Sequence, residues 1–353
     1  MNIAIFGLSI SSSWGNGHAT IWRGLVRALV NNNHKVTFFE KNVTYYAQNR
    51  DFRGMDGLNL ILYDSWPEIQ FVAASILNSI DVAIVTSYCP DALAASDLIL
   101  CREVPLHVFY DLDAAVTVKQ IENGKTPFYI GKRLLKDYDL VFSYTGGKIL
   151  DTIKDKLAAK EVFPLYGCVD PLIHRPVNAS PIYSSDLSYL GTFAVDRQDM
   201  LVRLLIETAK KNPNHKFIIG GAQYPENFPW TANTFFVAHL PPSEHSLFYC
   251  SSKFTLNITR EAMAETGFSP SGRLFEAAGC GVPVISDQWT GVEQFFSPGE
   301  EIVIATDADD VTDALLMPEK NRLAIASKAY QRVHREHTAI HRIKEFERII
   351  GEF

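Results

Sequence analysis

Leu256-Asn-Ile-Thr-Arg260, followed by Gly267-Phe-Ser-Pro-Ser-Gly-Arg-Leu-Phe-Glu-Ala-Ala-Gly-Cys-Gly-Val-Pro-Val-Ile-Ser286, decides how the chain folds. Ser269-Pro-Ser-Gly272 reads as a turn, with small polar residues where a helix N-cap belongs. Leu274, Phe275, Ala277 and Ala278 supply the buried side of a short helix from about Gly272 to Gly279. Gly279 and Gly281 end that helix, and Val282-Pro-Val-Ile285 reads as the strand that follows. A strand, a crossover helix and another strand make one step of a parallel α/β sheet, because parallel partners need such a connection.

The same step repeats in both directions. Towards the amino terminus, short apolar runs at Ile3–Leu8, His34–Glu40, Leu58–Asp64, Asp81–Tyr88, Leu106–Tyr110 and Asp139–Tyr144 alternate with helical stretches. Ile21, Leu25 and Leu29 mark one helix face, and another helix is predicted around Phe71–Ile80. The pattern pauses at Asp170–Pro181, where three prolines make the best linker. It resumes with strands at Leu187–Leu190, Lys216–Ile219, Thr234–Ala238, Phe254–Ile258 and Val282–Ser286 and a helix at Met200–Lys211. Ile340, Ile343, Phe346 and Ile350 give a terminal helix. Two α/β domains are expected, 1–170 and 171–337, with 338–353 crossing back onto the first.

Composition agrees with a packed protein of this size. Of 353 residues, 47% are hydrophobic and 21% charged, which excludes disorder. A net charge of -7 argues against general affinity for nucleic acid or anionic lipid. Cys89, Cys101, Cys168, Cys250 and Cys280 form no CxxC pair and sit in or beside apolar runs, as free thiols in a reducing compartment would. With no basic leader ahead of Ile3 and no apolar run long enough to span a bilayer, the expected location is the cytoplasm.

Three segments are suited to chemistry. A helix start presents unpaired N–H groups and partial positive charge, which suits a diphosphate. The Ser269–Gly272 turn, with the Ser271 and Gly272 amides, is the candidate cradle, and Arg260 or Arg273 would neutralise charge. Glu276, one turn further in, could accept two ribose hydroxyls. An ordinary capped helix would show the same local pattern. The second segment is Gly15-Asn16-Gly17-His18, where glycines permit close approach of backbone to a ligand. The His18 imidazole could act as a general base on a hydroxyl, or it could merely cap the helix. The third is Val108-Phe-Tyr-Asp-Leu-Asp113, which ends a strand where open parallel sheets bind ligands. Asp111 reads there as an alternative base or as the residue that orients His18, and Asp113 as a turn acid. Gly191 and Arg197, after the first strand of the second domain, are further candidates for the phosphates.

The chain resembles the GT-B glycosyltransferases, and within them the spore maturation protein CgeB-like group. The likeness rests on Thr259-Arg-Glu261, Ser269–Ser286, the Trp14–Thr20 loop and Phe109-Tyr-Asp-Leu-Asp113. It implies two Rossmann-like domains with parallel sheets facing across a cleft. It further implies transfer of a sugar from a nucleoside-diphosphate sugar, with a UDP-sugar first in order, to a hydroxyl of a glycan, protein or small molecule. No metal and no other cofactor is expected. On this likeness Glu276 is the ribose-binding residue of the donor site. One departure concerns the E-x7-E pattern of many retaining members: the position eight before Glu276 is Phe268.

Two other readings remain at this stage. A non-catalytic nucleotide- or carbohydrate-binding protein would keep the fold. An NAD-dependent oxidoreductase would use Glu40, at the end of the second strand, for a ribose. Against the latter, Gly7-Leu-Ser-Ile-Ser-Ser lacks GxGxxG.

Overall fold

The computed structural model describes residues 1–353 and divides them into two compact units, Met1–Tyr166 with Ala339–Phe353, and Gly167–Thr338. The first unit holds strands β1 (Asn2–Gly7), β2 (Lys35–Lys41), β3 (Leu58–Tyr63), β4 (Val82–Thr86), β5 (Leu106–Asp111), β6 (Leu140–Ser143) and β7 (Val162–Pro164). They form one parallel sheet in the order β3-β2-β1-β4-β5-β6-β7. The β1–β2 register pairs Ile3 with Val36 and Phe6 with Phe39. Ile3, Ala4, Ile5 and Phe6 are at most 1% exposed, as a strand covered by helices on both faces must be.

The second unit repeats the plan with β8 (Ser185–Leu190), β9 (Phe217–Gly221), β10 (Thr234–Ala238), β11 (Ser252–Asn257), β12 (Val284–Ser286) and β13 (Val303–Ile304). Its order is β10-β9-β8-β11-β12-β13, again parallel throughout. Its core joins Leu187, Tyr189, Leu204, Phe217, Phe254 and Leu256. Both sheets reverse direction beside their first strand, and the crevice at the carboxyl ends there is the usual ligand position of such folds.

Some expectations shift. β7 and β13 were not expected, because three and two residues carry too little periodicity to register. The helix placed at Phe71–Ile80 runs from Trp66 to Leu77, led by Pro67 in its first turn, and Phe71 itself is exposed. The proline-rich Asp170–Pro181 stretch is packed onto the second unit rather than left loose. Arg175 and Ser180 donate their N–H groups to the Ser246 and Ser251 hydroxyls at 3.2 and 2.8 Å, and His174 is buried. Of the cysteines, Cys89, Cys168 and Cys280 are buried, but Cys101 is exposed.

The terminal helix Ala339–Ile350 buries Ile343, Phe346, Ile349 and Ile350 within the first unit. Phe346 meets Phe142 at 5.5 Å between ring centres. Glu347 accepts from Asn32 at 2.8 Å and meets His34 Nε2 at 2.6 Å, locking this helix to the end of helix Gly17–Asn31.

Candidate functional site

In the second unit the chemistry gathers where β8 and β11 part. Gly191 follows β8, and Thr259 and Arg260 follow β11. Arg273, in the first turn of the helix Gly272–Gly279, reaches back to both strands. Its Nε donates to the Leu190 carbonyl and its Nη1 to Asn257 Oδ1 at 2.9 Å, while the guanidinium lies over the Tyr189 ring at 4.8 Å. Arg273 is buried, so it pins the helix to the switch point with two of its three nitrogens. Gly191 is needed for space: a Cβ there would lie 2.9 Å from Arg273 Nη2, and one on Gly221 only 2.1 Å from the Gly191 carbonyl oxygen. Arg197 Nη2 donates to the Thr192 carbonyl, which orders the loop after β8. Arg260 is the more open cation, bonded through Nε to Asp196 at 2.9 Å with its side chain 43% exposed.

The start of helix Gly272–Gly279 is open. The Ser271 side chain makes no capping bond. Around the Cβ position of Gly272, outside the backbone of the helix itself and the adjoining residues, the sole atom within 4 Å is Glu276 Oε1, at 3.7 Å. The carboxylate thus curls back along the helix towards its amino end. Its other oxygen accepts from Tyr249 OH at 3.1 Å and faces His245 Nδ1 at 3.8 Å and His174 Nε2 at 4.0 Å. Burial opposes ionisation of Glu276, but the two imidazoles, Tyr249 and Arg273 together hold its carboxyl below the usual range. Burial lowers both histidines, His245 to about 4, so the imidazoles are neutral at pH 7. Ser269 is buried beneath this turn.

Phe268 has a left-handed backbone, φ 48°, and packs where a Cβ on Gly291 would stand 2.4 Å away. The position of the absent acid is therefore a packing position. Glu265, nearby in sequence, is exposed on the helix Glu261–Thr266.

In the first unit the groups converge at the carboxyl ends of β1, β4 and β5. Asn16 caps helix Gly17–Asn31, accepting from the His18 N–H at 3.0 Å, and its amide ties the loop to the Ser9 and Ser12 carbonyls. Gly15 is left-handed, φ 58°, and exposed, as is Gly17. The His18 ring meets Asp113, not Asp111: Nε2 lies 2.9 Å from Asp113 Oδ2. Ser87 donates to the same oxygen at 2.8 Å and itself accepts from the Leu112 N–H at 3.0 Å. A carboxylate on Nε2 keeps the proton there and leaves the lone pair on Nδ1, which has no hydrogen-bond partner. Asp111 takes a different place. It is fully buried, its Oδ1 accepts from the Asp113 N–H at 2.9 Å, and burial with Asp113 nearby raises its pKa to about 7. It shapes the turn that presents Asp113. Tyr88 stands edge-on to His18 at 6.3 Å with φ 58°, and Phe128, exposed, lies 6.0 Å from Tyr88.

Glu40 is used up inside the loop after β1. Its carboxylate accepts from the Ile10 and Ser11 N–H groups at 2.8 and 2.9 Å and from the Ser9 and Ser11 hydroxyls. The amides that a dinucleotide would need, and the acid its ribose would need, satisfy each other. The oxidoreductase reading loses its support here.

Sequence reasoning missed Ser87, Tyr249, His174 and His245, and gave Asp113 a turn role. Ser87 and Asp113 both end strands, which is a weak signal for a site. The two histidines lie 71 residues apart and neither stands in a motif, so nothing local marked them.

Residues 197–348 match a family profile described as glycosyl transferase-like. Curated protein sequences gave no match. Among solved structures, sucrose-phosphate synthase from Thermosynechococcus elongatus superimposes with a TM-score of 0.75 at 13% identity, over 100% of both chains. An α-glucosyltransferase in complex with UDP gives 0.71 at 12% identity, over 99% of this chain and 100% of that one. Anabaena HepE in complex with UDP and glucose gives 0.68 at 12% identity, over 100% and 99%. The chain has the GT-B fold, two parallel-sheet Rossmann-like domains.

Proposed function

We propose that the protein transfers a sugar from a nucleoside-diphosphate sugar to an acceptor hydroxyl, with a UDP-sugar as the donor of first choice. The observation that carries this reading is the uncapped start of helix Gly272–Gly279 with the Glu276 carboxylate turned towards it. The helix end suits the diphosphate, Arg260 adds charge, and Glu276 Oε1 can accept from the ribose while Oε2 stays on Tyr249. The UDP in two of the similar structures supports the choice of base.

In the acceptor half, His18 takes the proton of the attacking hydroxyl once movement uncovers its Nδ1, which is buried in this structure, and Asp113, steadied by Ser87, stabilises the imidazolium that forms. As the sugar's anomeric bond to the diphosphate breaks, negative charge grows on the terminal phosphate. Preorganised donors aimed at such charge are worth roughly 3–4 kcal/mol each. Tyr88 beside His18, and Phe128 beside Tyr88, offer aromatic surface for an acceptor such as a glycan or a small hydroxylated molecule. The net charge of -7 disfavours a nucleic acid, although four α-glucosyltransferase structures of this fold hold DNA.

The test is calorimetric titration with UDP and UDP-glucose, followed by measurement of UDP released from UDP-glucose with and without candidate glycan acceptors. Binding with UDP release supports transfer. Binding without any release under all acceptors favours the non-catalytic reading, and failure of every nucleoside diphosphate to bind removes both.

A further inference from the structure

Beneath the open helix start, Glu276 stands beside two histidines that sugar transfer does not itself require. His174 comes from the proline-rich stretch, His245 from the helix Pro242–Cys250, and Glu276 from helix Gly272–Gly279. Their ligand atoms, His174 Nε2, His245 Nδ1 and a Glu276 oxygen, all fall within 4.8 Å of one another. The separations are 3.4 Å between the imidazole nitrogens, and 4.0 and 3.8 Å from these to Glu276 Oε2. Ligands of a tetrahedral zinc at the usual bond lengths stand about 3.3 Å apart, so small side-chain rotations close the triangle.

The protonation pattern is also that of a ligand set. His245 Nε2 lies 3.3 Å from the Leu240 carbonyl, so the proton sits on that nitrogen and Nδ1 turns its lone pair to the other two groups. His174 turns its Nε2 to His245 Nδ1 and Glu276 Oε2.

We propose that His174, His245 and Glu276 Oε2 bind one zinc-class divalent ion, and that the ion, by drawing the carboxylate towards the two imidazoles and away from the helix start, weakens the hold of Oε1 on the donor ribose. This rests on the donor reading above. Two nitrogens and one oxygen select zinc, cobalt or nickel over magnesium and calcium, which prefer all-oxygen sites. Three protein ligands leave a fourth position, on the side where His245 and Glu276 retain 11% and 13% side-chain exposure. Binding of metal and donor is then reciprocal, each weakening the other by the same factor.

The experiment titrates the chelator-treated full chain with Co2+ and follows its visible absorption, then measures UDP binding with and without saturating Zn2+. One Co2+ per chain with intense four- or five-coordinate bands, displaced by Zn2+, supports the site, as does a rise of about tenfold or more in the UDP dissociation constant with Zn2+. His245→Asn and His174→Asn, each checked for a normal unfolding transition, should weaken Co2+ binding at least about tenfold and bring the zinc effect on UDP close to onefold. A spectrum no different from free aqueous Co2+, or a His245→Asn protein that binds Co2+ as the wild type does, overturns the proposal. Metal-free UDP binding judges the donor reading separately. UDP bound without Co2+ bound removes the metal site alone, and Co2+ bound without UDP bound removes the donor reading and with it the coupling.

Discussion

The two units carry the same strand order up to the sheet reversal, and each places a helix start at the carboxyl end of its sheet, yet they treat those helix starts in opposite ways. In the first unit Asn16 caps helix Gly17–Asn31 and Glu40 fills the amides of the loop before it. In the second, Ser271 leaves helix Gly272–Gly279 uncapped, and Glu276 waits at its entrance. A chain that spends its own carboxylate on a loop leaves no attraction there for a ligand's phosphate. A chain that withholds a cap keeps one. The proposed function follows this contrast, with the diphosphate at the second unit and His18 and Asp113 in the first for proton transfer.

Substitutions can break or sharpen this division. His18→Ala should cost about 100- to 10,000-fold in turnover while donor affinity stays within about twofold, as loss of a general base does. An equal loss of donor affinity would place the phosphates in the wrong unit. Glu40→Ala should act on stability, by about 3–5 kcal/mol in denaturant unfolding, because four buried donors lose their acceptor together. A stable Glu40→Ala protein with weakened nucleotide binding would reverse the comparison. Glu276→Ala should raise the UDP dissociation constant about 100-fold, since hydrogen bonds to a charged group are worth about 1.5–3 kcal/mol each. Arg260→Ala should raise it only several-fold, given its 43% exposure, with the effect shrinking as salt is added.

The last expected effect is on pH dependence. Asp111 is raised to about 7 by burial, against about 3.9 in an unfolded chain. Between those values the folded protein keeps a proton that the unfolded chain has released, so this group makes stability fall as pH rises from about 4 to 7. Asp111→Asn should flatten that slope, by up to about 4 kcal/mol across the interval at about 1.36 kcal/mol per pH unit, measured by urea unfolding at several pH values. An unchanged slope would mean that Asp111 is ionised in the fold.

Much of the fold was legible because long apolar runs and helical spacing are local facts. Ile3–Phe6, Thr234–Ala238 and Leu274–Ala278 announce their elements without reference to anything distant. β13, two residues paired on β12, exists only because Ile285 and Ser286 offer it an edge. The site divides in the same manner. Glu276 and the helix start lie within one turn of each other, so spacing brings them together. His18 and Asp113 are 95 residues apart, and Asp111 alternates with Asp113 on a single strand end, so only the turn after β5 decides which carboxylate reaches the imidazole.

By itself, then, the amino-acid order determined two parallel α/β units, the strand-end loops that hold the polar residues, and the helix whose amino end suits an anion. Tertiary structure alone decided that Asp113 partners His18, that Glu40 is consumed by its own loop, and that His174 and His245 come to lie beside Glu276. The physical reason is range. Backbone periodicity and capping act over a few residues, whereas the ionisation and pairing of a buried side chain depend on whichever groups packing brings within a few ångströms.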